Sequence, residues 1–80
     1  MELAHEDQFI KRMQKGDERA FEVIMKHYQH RLYSLIIGIV KNDDETAEVA
    51  QDVFMKVFNK AQSFQFNSKF STWLYSIAYN

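Results

Sequence analysis

Cysteine and proline are both missing from these 80 residues, and glycine occurs only twice. Without cysteine there are no disulfides and no thiolate metal sites, a composition suited to a reducing cytosol. Without proline, and with so little glycine, few positions interrupt a helix, so helix is the default expectation. No apolar run approaches the roughly 18 residues of a membrane span. The opening "MELAHEDQF" carries acids where a signal peptide would carry a basic region. A cytoplasmic protein with no membrane span is expected.

Charge of either sign is also scarce in one place. Across residues 63–80 the only charged side chain is Lys69. Elsewhere charge is segregated: Lys11, Arg12, Lys15, Arg19, Lys26 and Arg31 precede an acidic block of Asp43, Asp44, Glu45, Glu48 and Asp52. The formal total is −1. A near-neutral chain with an acidic block does not carry the uniform basic footprint of a stand-alone duplex binder. Taken by itself, this pattern describes solvated helix faces.

What is present is helical punctuation and period. A first helix is expected over residues 3–15, with Phe9, Ile10 and Met13 on one side. It ends at "KGD", where Gly16 suits a left-handed C′ position and Asp17 can cap the next helix. The second helix spans 18–40. Phe21, Ile24, Met25, Tyr28, Leu32, Leu35, Ile36 and Ile39 recur at helical spacing, and Val23, Tyr33 and Ile37 widen the stripe. Such a helix is expected to be packed from two sides. "KNDDE" then offers Asn42, Asp43 or Asp44 as a cap for a third helix over 44–62.

On that third helix, Ala47, Ala50, Val53, Phe54, Val57 and Ala61 fall on one half of the wheel. Glu48, Gln51, Asp52, Met55 and Asn59 fall on the other. Met55, an adaptable apolar side chain among carboxylates, marks a candidate partner surface. "SFQFNSK" (63–69) reads as a loop in which Asn67 or Ser68 can cap a fourth helix. There Phe70, Trp73, Leu74 and Ile77 face inward, while Thr72, Tyr75, Ser76 and Tyr79 face outward with Asn80 flanking. The chain shows no repeat, linker or low-complexity segment. One all-α domain, a compact bundle of about four helices, is expected.

Little in the sequence supports bond-making chemistry. His27 and His30 supply two potential ligands with no third nearby, and Glu2 with His5 makes a single Glu-x-x-His where a di-iron bundle needs two. There is no glycine-rich phosphate loop and no nucleophile elbow. Phe64, Phe66, Phe70, Trp73, Tyr75 and Tyr79, by contrast, crowd into sixteen residues. Some of them form core. The remainder, with small polar groups around one lysine, suit a surface for single-stranded bases.

Three ordered stretches carry a resemblance. "TAEVAQDVFMKVF" (46–58) is similar to the Ala-Glu-Asp-x-x-Gln-Glu-x-Phe helix of bacterial sigma factors of the extracytoplasmic-function branch. "FSTWLYSIAYN" (70–80) resembles that family's Phe-x-Thr-Trp-Leu-Tyr-Arg-Ile-Ala-x-Asn, and "KGDERAFEVIMKHY" (15–28) its Gly-Asp-x-x-Ala-Phe opening. The likeness spans nearly the whole chain and points to conserved region 2. In the family the last helix continues and leads to a helix-turn-helix domain, so residues 1–80 are expected to be one domain of a longer protein.

The resemblance implies a non-enzymatic specificity subunit, without cofactor, that directs RNA polymerase to promoters. It implies that Glu48, Gln51 and Asp52, with Met55 beside them, face the clamp helices of the polymerase's largest subunit. It further implies that the nontemplate strand of the minus-ten element is held by Asn67, Ser68, Lys69, Ser71, Thr72, Ser76, Tyr79 and Asn80. An anti-sigma factor is a further implied partner. Val49 and Ser76 depart from the family's usual Asp and Arg, removing one charge from the polymerase face and one phosphate contact. The competing expectation is a helical protein-interaction module with no DNA role, whose acidic helix binds a partner and whose aromatic end is core.

Overall fold

The computed structural model describes residues 3–79. Four helices run in order: α1 (Glu6–Gln14), α2 (Glu18–Val40), α3 (Asp43–Lys60) and α4 (Phe70–Tyr79), with a 3₁₀ turn at Ala61–Ser63 following α3. No strand occurs among the described residues. The expected all-α architecture is the one found.

α1 begins three residues later than its hydrophobic pattern suggests. His5 sits at φ 58, ψ 30, and a left-handed residue cannot lie within a right-handed helix. At the other end the Gly16 N–H donates to the Met13 carbonyl and the Asp17 N–H to that of Arg12, with Gly16 at φ 90. These two bonds and a left-handed glycine make a Schellman ending. The Asp17 side chain then accepts from the Arg19 and Ala20 N–H groups at 3.0 and 3.2 Å, starting α2. Arg12 closes the corner with an ion pair to the same carboxylate at 2.9 Å. Donation from the Ala20 N–H, then from Arg12, holds the Asp17 carboxyl below its usual range.

At about 1.5 Å per residue, the 23 residues of α2 match the 34 Å long axis of the molecule. α1 and α3 pack on it, so the expected two-sided spine is present. Its buried positions are Ala20, Ile24, Tyr28, Leu32 and Ile36, one line at a spacing of four. The stripe is narrower than the sequence suggests. Leu35 is half-buried, and Ile39 is 63% exposed.

Of the three candidate caps for α3, Asn42 takes the position and accepts from the Glu45 N–H at 2.9 Å. Thr46, 1% exposed, is satisfied because its hydroxyl donates to the Asn42 carbonyl. Ala50, Val53, Phe54 and Val57 are buried as expected, whereas Ala47 lies on the exposed shoulder. α3 tightens into the 3₁₀ turn after Lys60, two residues short of the expected end. α4 begins immediately after Lys69, whose carbonyl accepts from the Trp73 N–H at 3.2 Å, so neither Asn67 nor Ser68 holds the N-cap position. Leu74 and Phe70 enter a core shared with Ile10, Met13, Ile24, Leu32 and Val57. Trp73 and Ile77 are half-buried against it.

Candidate nucleic-acid interface

The loop over residues 64–69 is built from both of its ends. At its start, the Gln14 side-chain amide donates to the carbonyls of Ala61 and Phe64, each at 2.9 Å. The Gln62 amide donates back to the Gln14 carbonyl at 3.2 Å. α1 thereby clasps the point where α3 ends. Phe64 is 5% exposed and sits among three rings: Phe66 at 4.8 Å, Phe70 at 5.4 Å and Trp73 at 5.4 Å. Phe70 in turn contacts Tyr28 of α2 at 5.7 Å. Aromatic contacts of this kind each add modestly to their area burial, and together they fix the entry into α4.

Between these anchors the chain turns outward. Residues 65–69 are all exposed, and Phe66 adopts φ 61, a left-handed backbone that a bulky aromatic rarely takes. The loop forms one wall of an open cavity of about 1020 Å³. Phe66, Ser68 and Lys69 line it from the loop, and Glu6 of α1 with His30 and Arg31 of α2 line it as well. At its floor the Tyr28 hydroxyl donates to the Glu6 carboxylate. Tyr75 lies beside it, with the Arg31 guanidinium 5.9 Å from its ring. The Tyr75 hydroxyl is buried and has no hydrogen-bond partner among the described residues. Burial raises its pKa, and the nearby Arg31 charge opposes the rise. Tyr75, expected to point outward, is instead drawn inward by Tyr28 and Arg31.

The residues nominated for DNA therefore fall into two groups. Ser68, Lys69 and Ser71 line the cavity. Thr72, Ser76 and Tyr79 are exposed along the outer side of α4, where the Ser76 hydroxyl donates to the Trp73 carbonyl at 2.7 Å. Asn67 is exposed in the loop, and Asn80 lies outside the described residues. Arg31 and Lys11, neither among the residues expected to hold DNA, also reach this end of the molecule, from α2 and α1. Their arrival depends on packing between distant segments, which no local period reveals.

A second surface lies on α3. Glu48, Gln51, Asp52 and Met55 are all exposed, and Met55 retains 51% of its surface. Gln51 and Met55 border a groove of about 370 Å³ whose far side is formed by Phe21, Met25 and Tyr33 of α2. His27 packs edge-on against Tyr28 at 4.7 Å, and the described residues hold no group of three potential metal ligands. The Glu2 of the Glu-x-x-His pair lies outside the described residues. No helix among them is long and apolar enough to cross a membrane.

Three comparisons bear on these surfaces. The sequence model of the family described as Sigma-70 region 2 matches residues 24–80. The RNA polymerase sigma-H factor of Pseudomonas aeruginosa is 40% identical over 75 residues, which cover 94% of this chain and 39% of that protein. The ECF RNA polymerase sigma-E factor of Escherichia coli K12 is 41% identical over 71 residues, 89% of this chain and 37% of that protein. The chain thus spans about two fifths of the length of these curated relatives. Among solved structures, an engineered region 2 of sigmaE in complex with GTAAAA superposes with a TM-score of 0.87 at 39% identity. The superposition covers all of this chain and 83% of that one.

Proposed function

Because this chain belongs to the sigma-70 region 2 family, we propose that it serves a sigma factor as its region 2 domain, binding polymerase core and reading single-stranded promoter DNA. The observation that carries the reading is the solved relative, alike over the whole chain, whose region 2 holds GTAAAA. The loop-and-α4 end offers a fitting surface: an open cavity walled by Phe66, Ser68 and Lys69, beside an exposed polar stripe of Thr72, Ser76 and Tyr79.

In this reading a base of the minus-ten nontemplate strand leaves the stack and enters the loop cavity. Unstacking costs a few kcal/mol, offset by contacts inside. Ser68, Ser71 and Asn67 supply hydrogen-bond donors and acceptors to base edges, and Lys69 one phosphate contact. Thr72, Ser76, Tyr79 and Asn80 track the neighbouring nucleotides. The polymerase clamp helices take the outer face of α3, where Glu48 and Asp52 offer charge, Gln51 a hydrogen-bonding amide and Met55 an apolar centre. No bond-making step falls to any residue. Residues 1–80 act as one domain of a longer cytoplasmic factor whose activity an anti-sigma protein restrains.

The test is fluorescence anisotropy with a panel of single-stranded hexamers that includes GTAAAA, their scrambled forms and the matching duplexes, over a salt series. Sequence-dependent binding with a shallow salt slope of roughly one to two is expected for single strands, since Lys69 is the only cation in the last eighteen residues and Lys11 and Arg31 are the cations that reach this end from α1 and α2. Duplex binding should be negligible at physiological salt. Equal binding to every hexamer, or tight and steeply salt-dependent duplex binding, would leave the helical interaction module as the better account. A pull-down with polymerase core, expected to be positive, separates the α3 assignment from the DNA one.

A further inference from the structure

Phe66 is the most oddly placed side chain in the molecule. Its φ of 61 is one that β-carbon sterics disfavour, and a bulky ring there is a genuine outlier. Backbone held in such a region persists only where its surroundings impose it, and it concentrates at ligand clamps. The ring is not hidden in return for that strain. Phe64 meets it at 4.8 Å with the planes 56° apart, a tilted contact that leaves Phe66 37% exposed. It stands on the wall of the cavity, in the same stretch as Ser68 and Lys69. A cation is placed with it: the Lys11 ammonium, from α1, lies 5.5 Å from the ring centroid.

A residue kept only for packing would be turned in beside Phe64 and Phe70. A residue of no consequence would be glycine, asparagine or a small polar group, which take this backbone at little or no cost. We infer that Phe66 is a specificity-determining aromatic platform: it stacks on one nucleobase in the cavity, and Lys11 neutralises the phosphate of that same nucleotide. The inference rests on the reading of this end as a single-stranded DNA surface, and adds to it which side chain grips the base. A platform of this kind favours purines, whose larger π-faces stack more strongly, and tolerates either purine because every base presents a π-face. Discrimination between purines then falls to the polar edge groups of Ser68 and Ser71. Lys11 over the ring also accounts for how the exposed face stays in water without partner: the ammonium shields it until a base displaces it toward phosphate.

The experiment uses the whole chain and the best-binding hexamer, prepared as a series with 2-aminopurine at each purine position in turn. For the wild type, fluorescence should be quenched at one position and affected little at the others. Phe66→Tyr should preserve both quenching and affinity. Phe66→Leu, which keeps bulk and removes the π-face, should lose the quenching and about tenfold in affinity. Lys11→Gln should lower the salt slope by roughly 0.7 while leaving the quenched position unchanged. Phe66→Gly guards against a purely structural role: relief of strain offsets the lost contact with Phe64, so its melting temperature should stay near that of the wild type while affinity falls. If the wild type selects among hexamers and Phe66→Leu binds and quenches as it does, Phe66 is no platform and the DNA reading stands without it. If the wild type binds no hexamer, the DNA reading fails and this inference with it.

Discussion

The outer face of α3 and the end of the molecule made by the 64–69 loop and α4 are two unlike ways of presenting a contact surface. On α3, four side chains rise from one regular helix whose cap is local, Asn42 to Glu45. Nothing distant is needed to place Glu48 or Asp52. At the loop end, each element depends on a remote partner: Gln14 on the carbonyls of Ala61 and Phe64, Tyr28 on Phe70, Arg31 on Tyr75. On the proposed reading the first surface would act through charge, which salt screens and which a single substitution can reverse. The second would act through shape, which only the assembled fold provides. Perturbations should therefore sort cleanly between them.

The largest effect is expected from Phe70→Ala. Phe70 is 3% exposed and touches the rings of Tyr28, Phe64 and Trp73. Its truncation should cost about 3–5 kcal/mol in urea unfolding, a large share of a small domain's stability. Hexamer binding should vanish before polymerase binding does as urea is raised. A loss of less than about 1 kcal/mol would break the claim that aromatic packing holds that end.

Gln14→Leu should come next. It keeps similar volume but removes the amide that serves two partly buried carbonyls, at about 1–2 kcal/mol. Hexamer affinity should drop while polymerase binding is unchanged. A variant that lost polymerase binding equally would show that the two surfaces are one cooperative unit.

Charge reversal at Glu48 or Asp52 should give the mirror image. Polymerase binding should weaken by roughly 1 kcal/mol per site, chiefly in the association rate and most strongly at low salt. Melting temperature and hexamer binding should hold, since both carboxylates are solvated. The smallest effect concerns neither surface. The Asp17 carboxyl is held below its ordinary value of 3.8 by the Ala20 N–H and then Arg12. A depressed carboxyl contributes stability that is present above the ordinary value and lost as pH falls through the folded one. Asp17→Asn should flatten that acid limb in a pH series of thermal melts, with no change in either binding activity near pH 7.

The same contrast explains what could be read from sequence. The start of α2 follows from Gly16 and Asp17, and the start of α3 from the Asn42 cap, all local chemistry. The solvated face of α3 follows from the 100° step of a helix. Misplacements occur where a neighbour, or its absence, decides. Ile39 is exposed although it falls on the apolar stripe of α2, and Ala47 is exposed at the groove that α2 and α3 form between them. Tyr75 turns inward toward Tyr28 and Arg31, residues more than forty positions away. α1 starts late because His5 takes a left-handed backbone, which its residue type alone does not announce. The αL conformation of Phe66 is invisible for the same reason. The motif resemblance nominated residues at this end, but the geometry they sit in arises from α1 and α2 meeting the loop.

The amide clasp at Gln14 has one more consequence. It pins the loop where it leaves the 3₁₀ turn, and buried Phe70 pins it where it enters α4. Only residues 65–69 lie between, all of them exposed and making little contribution to the core. The backbone freedom that binding a strand here would remove, about 1–2 kcal/mol per residue, is confined to this short span. The frame is fixed and its insert is exchangeable. On the proposed reading, substitutions at 65–69 would alter which bases are favoured without an accompanying loss of folding, so sequence preference and stability would be free to drift apart as such a chain diverges.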